Sequence, residues 1–182
     1  LLEQMQTRNS DILLITGDVF HYPTPSNTAR EMYYDFLSRC NGQQYPREVV
    51  VVAGNHDSPS GIEAPKTVLN AIDVTVVGDT PKPADTDDYL VPVKGDSGET
   101  SAVVAAIPYL SESDLGVPVK TDDGASTLHA RYTDAFQAYH EKILDAAREA
   151  YGDIPVVLTG HMTCFGGAKS REDVDHEGAE IH

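Results

Sequence analysis

The apolar pattern of this sequence predicts an α/β fold, with strands buried on both faces and helices between them. Three observations carry that reading. Glu48 to Val52 reads EVVVV, and four consecutive valines have the β-propensity and unbroken apolarity of a doubly covered strand. An earlier apolar run, DILLIT at Asp11 to Thr16, is separated from it by a helical pattern, and strand, helix, strand at that spacing implies parallel pairing. Both runs, and a third near the end of the chain, stop at a glycine followed at once by polar groups: Gly17-Asp18, Gly54-Asn55-His56-Asp57 and Gly160-His161. Ligands of open α/β sheets collect at the carboxyl ends of strands, so the chemistry is expected there.

Taken in order, Leu1 to Asn9 reads as the end of a helix with Leu1, Leu2 and Met5 on its apolar side. Asp11 to Thr16 is a buried strand, and His21 to Asn27 a loop fixed by Pro23 and Pro25. Ala29, Met32, Tyr33, Phe36, Leu37 and Cys40 recur at helical spacing, with Thr28 and Glu31 as a capping box and Asn41-Gly42 as a stop. The valine strand follows, then a short helix over Ile62 to Ile72 and a strand at Val74 to Val77. Gly78 to Asp88 is a surface connection. Tyr89 to Val93 and Ser101 to Ile107 are two more strands joined by a Gly/Asp turn, and Pro108 to Ser126 is irregular. Leu128 to Tyr151 is the longest helix, with Leu128, Tyr132, Phe136, Tyr139, Ile143, Ala147 and Ala150 on one face. Ile154 to Thr159 is a last buried strand. The 182 residues fit one domain, 1–182, with a sizeable core.

The net charge of −16 argues against a self-sufficient nucleic-acid binder, which needs a Lys/Arg surface against phosphate. No apolar run approaches the roughly 20 residues that span a bilayer, and no signal peptide is visible. The two cysteines, Cys40 and Cys164, form no disulfide framework, which favours a reducing cytoplasm. Cys40 falls on an apolar helix face, and Cys164 reads as a packed small side chain. His129, His140 and His176 read as helix-surface or tail residues.

Asp18, Asn55, His56 and His161 can converge if the strand ends share one edge. A carboxylate, an amide oxygen and imidazoles suit Mn, Fe or Zn better than Ca or Mg. Asp18, with two oxygens, is the natural bridge between two metals, which together would activate water for in-line displacement at phosphorus. A histidine beside the pair can protonate the leaving oxygen.

The segments GDVFH (Gly17 to His21), GNHD (Gly54 to Asp57) and GH (Gly160-His161) resemble motifs of the calcineurin-like metallophosphoesterases. AIPYL (Ala106 to Leu110) and TGHMTCFGGAKS (Thr159 to Ser170) resemble the branch of SbcD-type nuclease subunits. The resemblance implies a sandwich of two mixed sheets flanked by helices, and a metal-dependent phosphodiesterase acting on DNA. It implies two divalent metal ions, manganese in that branch, and an SbcC-type coiled-coil ATPase as partner; a homodimer of the full-length protein is a further expectation. By the same resemblance Asp18 is the bridging ligand, and Asn55 and His161 ligate the second metal. His56 is the non-ligating catalytic histidine, Asp57 the carboxylate next to it, and His21 the histidine that orients the substrate phosphate.

The family's early Asp-x-His and late Gly-His-x-His motifs do not occur, and His182 lies in a stretch that precedes the latter. The chain therefore reads as an internal piece of a catalytic domain with its first metal site incomplete, and inactive by itself. Two rivals stand beside the nuclease: a phosphoesterase for small substrates, and a non-catalytic scaffold.

Overall fold

The structure, a computed structural model, describes residues 1–117 and 124–162. Two three-stranded sheets stack face to face, with helices on both outer faces. The first sheet is β1 (Ile12–Thr16), β2 (Glu48–Val52) and β3 (Val74–Val77), in the order β1-β2-β3 and parallel throughout. The second is mixed: β4 (Leu90–Lys94) runs antiparallel to β5 (Thr100–Ala105), which pairs in parallel with β6 (Val156–Leu158). Helices α1 (Leu2–Arg8), α2 (Asn27–Cys40), α3 (Pro59–Glu63), α4 (Lys66–Asn70) and α5 (Ala125–Tyr151) complete the layers. Among the described residues no helix is long and apolar enough to cross a membrane.

The valine run makes sense at once. Successive side chains of a strand point to opposite faces. Val49 and Val51 pack with Tyr33, Leu37 and Cys40 of α2, while Val50 and Val52 enter the layer between the sheets with Val91, Val93 and Val104. On β5, Val103 and Ala105 lie under Ile143 and Ala147 of α5, and Val104 faces the inter-sheet layer. Each central strand is thus covered twice.

Two of the edge strands differ from the sequence-based expectation. β1 and β6 are half-buried, while β3, which also has a partner on one side only, is buried. β4, the other edge of the second sheet, tolerates Pro92, whose missing N–H costs nothing there.

Helix details shift as well. Ser26, not Thr28, caps α2, its hydroxyl accepting the Ala29 N–H at 3.2 Å. Met32 is 70% exposed: the buried stripe runs through Tyr33, Leu37 and Cys40, and Met32 lies about 100° from Tyr33 around the axis. The segment expected to form one helix over Ile62 to Ile72 is two, α3 capped by Ser58 and α4 opening after Pro65. At the termini, Leu1 and Ala150 are exposed.

His140, expected on the surface, is buried at 8% exposure. Its Nδ1 donates to the Phe136 carbonyl at 2.8 Å, and its Nε2 has no partner among the described residues. Burial lowers its pKa, partly offset by that hydrogen bond.

Candidate metal centre

Three strand ends meet at one edge of the sandwich, and glycines let them approach. Gly17 has φ +100, and a Cβ there would enter the His161 imidazole, 2.6 Å from its Cγ. A Cβ on Gly54 would land on the Asp18 amide and carboxylate. At Gly17 and Gly54 the Gly-polar pattern is therefore a packing requirement: each of these two glycines makes room for a functional side chain from another strand end.

Asp18 follows β1 in a left-handed conformation, φ 47. Its Oδ1 accepts the His56 main-chain N–H at 3.2 Å and lies 3.5 Å from His161 Nε2. Asn55 Oδ1 lies 3.1 Å from the same Nε2. His161 is oriented from behind, its Nδ1 2.9 Å from the Thr16 carbonyl. A carbonyl can only accept, so Nδ1 carries a hydrogen and Nε2 is the nitrogen turned toward the two oxygens. Neutral, that nitrogen is an acceptor facing acceptors. Such a set calls for a cation, and a ligating histidine whose other nitrogen donates to a carbonyl is the usual arrangement at a metal.

Asp18, Asn55 and His161 thus fit a divalent metal through one carboxylate, one amide and one imidazole. Among the described residues no group of three His, Cys, Asp or Glu side chains is placed to hold a metal ion, so this donor set depends on the Asn55 amide.

His56 stands beside these donors. Its Nδ1 lies 3.0 Å from the His21 carbonyl, which by the same reasoning leaves Nε2 free. The His21 and His56 rings stack with centroids 5.5 Å apart. Asp57 points elsewhere: it is 6% exposed, and its two oxygens accept main-chain N–H groups of Val19, Phe20 and Gly54.

Two participants drew no assignment from sequence reasoning. Thr159 is buried, its Oγ1 accepting the Ile107 N–H at 2.8 Å, which ties the end of β6 to β5 just before His161. A hydroxyl closing an apolar strand was the available signal. Tyr109, 37% exposed, stands edge-on to His161 at 6.4 Å, and its N–H donates to the Ala53 carbonyl at 2.8 Å. It lines a cavity of about 170 Å³ with Asn55, Asp79, Thr80 and Asp114. Cys164, His176 and His182 lie outside the described residues.

Comparison with known proteins agrees with this architecture. Residues 1–165 match the family of calcineurin-like phosphoesterases. The chain is 32% identical over 164 residues to the SbcD component of nuclease SbcCD from Rhodobacter capsulatus, covering 88% of this chain and 40% of that protein. It is 32% identical over 178 residues to the Escherichia coli K12 protein of the same name, covering 93% and 41%. With the Bacillus subtilis counterpart it shares 31% over 158 residues, covering 86% and 38%. The chain thus spans about two fifths of the length of these relatives. With a match over most of its length and two stacked sheets that gather polar strand ends at one edge, the chain belongs to the calcineurin-like phosphoesterases.

Proposed function

We propose that the protein of which this chain is the catalytic part hydrolyses phosphodiesters in DNA, as the nuclease component of an SbcCD-type complex. The observation that carries the metal-dependent chemistry is the meeting of Asp18 Oδ1, Asn55 Oδ1 and His161 Nε2, with His161 locked from behind by a carbonyl. DNA as substrate, and an SbcC-type ATPase as partner, rest on the similarity to the nuclease components named above.

Manganese suits the mixed oxygen and nitrogen donors. Bound metal would supply Lewis acidity and the nucleophile for attack at phosphorus. The residues of the chain do the rest. Asp18, Asn55 and His161 hold the cation, while His56, in its protonated form, gives the Nε2 proton to the departing oxygen. His21, stacked on His56, orients the phosphate.

Calorimetric titration with Mn²⁺ tests the ligand assignment: binding should be lost in Asp18→Ala. Absence of any such site would favour a non-catalytic scaffold. Assays of the whole protein on linear duplex DNA and on bis-p-nitrophenyl phosphate test the substrate. A second reading, a phosphoesterase for small substrates, is favoured by the net charge of −16 and by Asp79 and Asp114 beside Asn55. Cleavage of the small ester alone would establish it.

A further inference from the structure

We infer that Asp57 is a positioning residue, acting through the main chain of the turn that carries Asp18 and never touching substrate. Its consequence for metal binding rests on the reading above; its geometry does not. A carboxylate that is 6% exposed must be compensated by donors. Oδ2 accepts the Val19 N–H at 3.1 Å and the Gly54 N–H at 2.8 Å, and Oδ1 the Phe20 N–H at 2.8 Å. Both oxygens are therefore committed inward.

The three donors come from two of the three loops that carry the metal-facing side chains. Val19 follows Asp18, and Gly54 precedes Asn55, so one carboxylate fixes a neighbour of two of the three ligands. Asp18 needs such a hold. Its left-handed φ of 47 is strained for a residue with a Cβ and persists only where the surroundings impose it.

The grip has a second jaw. The Tyr33 ring of α2 meets Phe20 edge-on at 5.3 Å, and the Tyr33 hydroxyl is buried without a hydrogen-bond partner among the described residues. That residue is placed for packing, since a hydroxyl gains nothing there. Phe20 is held through its N–H by Asp57 and through its ring by Tyr33.

Hydrogen exchange followed by NMR tests this first, in the unmutated chain. The Val19, Phe20 and Gly54 amides should be protected, although none of the three lies within a strand. Asp57→Asn sets an NH₂ group against at least one of the three N–H donors, whichever way the amide turns. It should raise exchange at those amides about 10-fold or more, leaving Val103 and Val104 of the second sheet unchanged.

In the whole protein the same substitution should weaken Mn²⁺ binding about 10-fold or more, the cost typical of groups that orient metal ligands. It should lower kcat with KM unchanged. Unprotected amides in the unmutated chain would overturn the inference, as would a folded variant binding Mn²⁺ like the parent. A raised KM at unchanged kcat would put Asp57 on the substrate and overturn it too. Loss of protection throughout the variant, second sheet included, would make Asp57 a global stability residue instead. If the unmutated protein takes up no Mn²⁺, the proposed function fails while the exchange result still decides the geometry.

Discussion

The two ends of the sandwich are joined by different physics. At the end that carries Asp18, Asn55 and His161, hydrogen bonds onto main-chain carbonyls connect the sheets: His161 Nδ1 to Thr16, and the Tyr109 N–H to Ala53. At the far end the link is ionic. Arg47 reaches Asp11 at 3.3 Å and pairs with Asp96 on the turn between β4 and β5, its guanidinium lying over the Tyr45 ring at 5.1 Å. That latch borders a cleft of about 490 Å³ lined by Lys66, Asp73, Asp88 and Lys94. Short bonds to carbonyls fix atoms in place, whereas at the far end a long, half-buried arginine reaches out to exposed carboxylates. Where the proposed chemistry lies, polar groups fix position; where the sandwich is only closed, charge suffices.

The strongest test of that contrast is His56→Ala in the whole protein, expected to reduce turnover about 10²- to 10⁴-fold, the range for a general acid. Metal content measured by elemental analysis should stay near normal. Metal loss would place His56 among the ligands.

Gly54→Ala should follow, because its Cβ would displace the Asp18 amide and carboxylate. A destabilisation of about 1–3 kcal/mol in urea melts is expected, as for other overpacked sites. Parent-like stability would mean that this end is looser than its contacts indicate.

Between the two ends, α5 offers an intermediate effect through His140. Burial lowers its pKa in the folded state, so below about pH 6.5 the unfolded chain binds more protons at this position. Its contribution to stability is therefore full above that pH and is lost as pH falls toward the folded pKa, by at most about 1.4 kcal/mol per pH unit. His140→Phe should flatten the urea midpoint between pH 7 and 5; an unchanged slope would assign the loss to other groups.

The smallest effect belongs to Arg47→Ala, whose partner Asp96 has an 89% exposed side chain. We expect a fall in melting temperature of at most roughly 2–4 °C, vanishing in 1 M salt. A larger loss that persists in salt would erase the distinction between the ends.

The central strands were legible in the sequence because a strand covered twice has no polar face to interrupt the pattern, as Val49 to Val52 illustrate. The half-burial of β1 and β6 was not. DILLIT and IPVVLT read as apolar runs, yet how much covers each depends on tertiary packing, which no local pattern encodes. Met32 was misplaced because helical spacing fixes a period but leaves the width of the buried stripe to the packing partner. His140 lies one helical turn from Phe136, Ile143 and Leu144, all apolar, so its burial was legible from the spacing and was hidden only by its residue type. The glycine-polar pairs did mark the edge at which Asp18, Asn55, His56 and His161 converge. Residue identity at Asp57 could not tell a side chain facing substrate from one turned inward onto three amides.

Both imidazoles of this centre take their tautomer from one short stretch, through the carbonyls of Thr16 and His21. A carbonyl belongs to every amino acid, so no replacement at position 16 or 21 can delete either anchor. The proton arrangement of the centre is thereby insulated from point mutation at its own supports. Its vulnerability lies in chain length: one residue gained or lost between Thr16 and His21 would move both anchors together. As far as these two carbonyl anchors go, drift in sequence at positions 16 and 21 is tolerable, and drift in spacing is not.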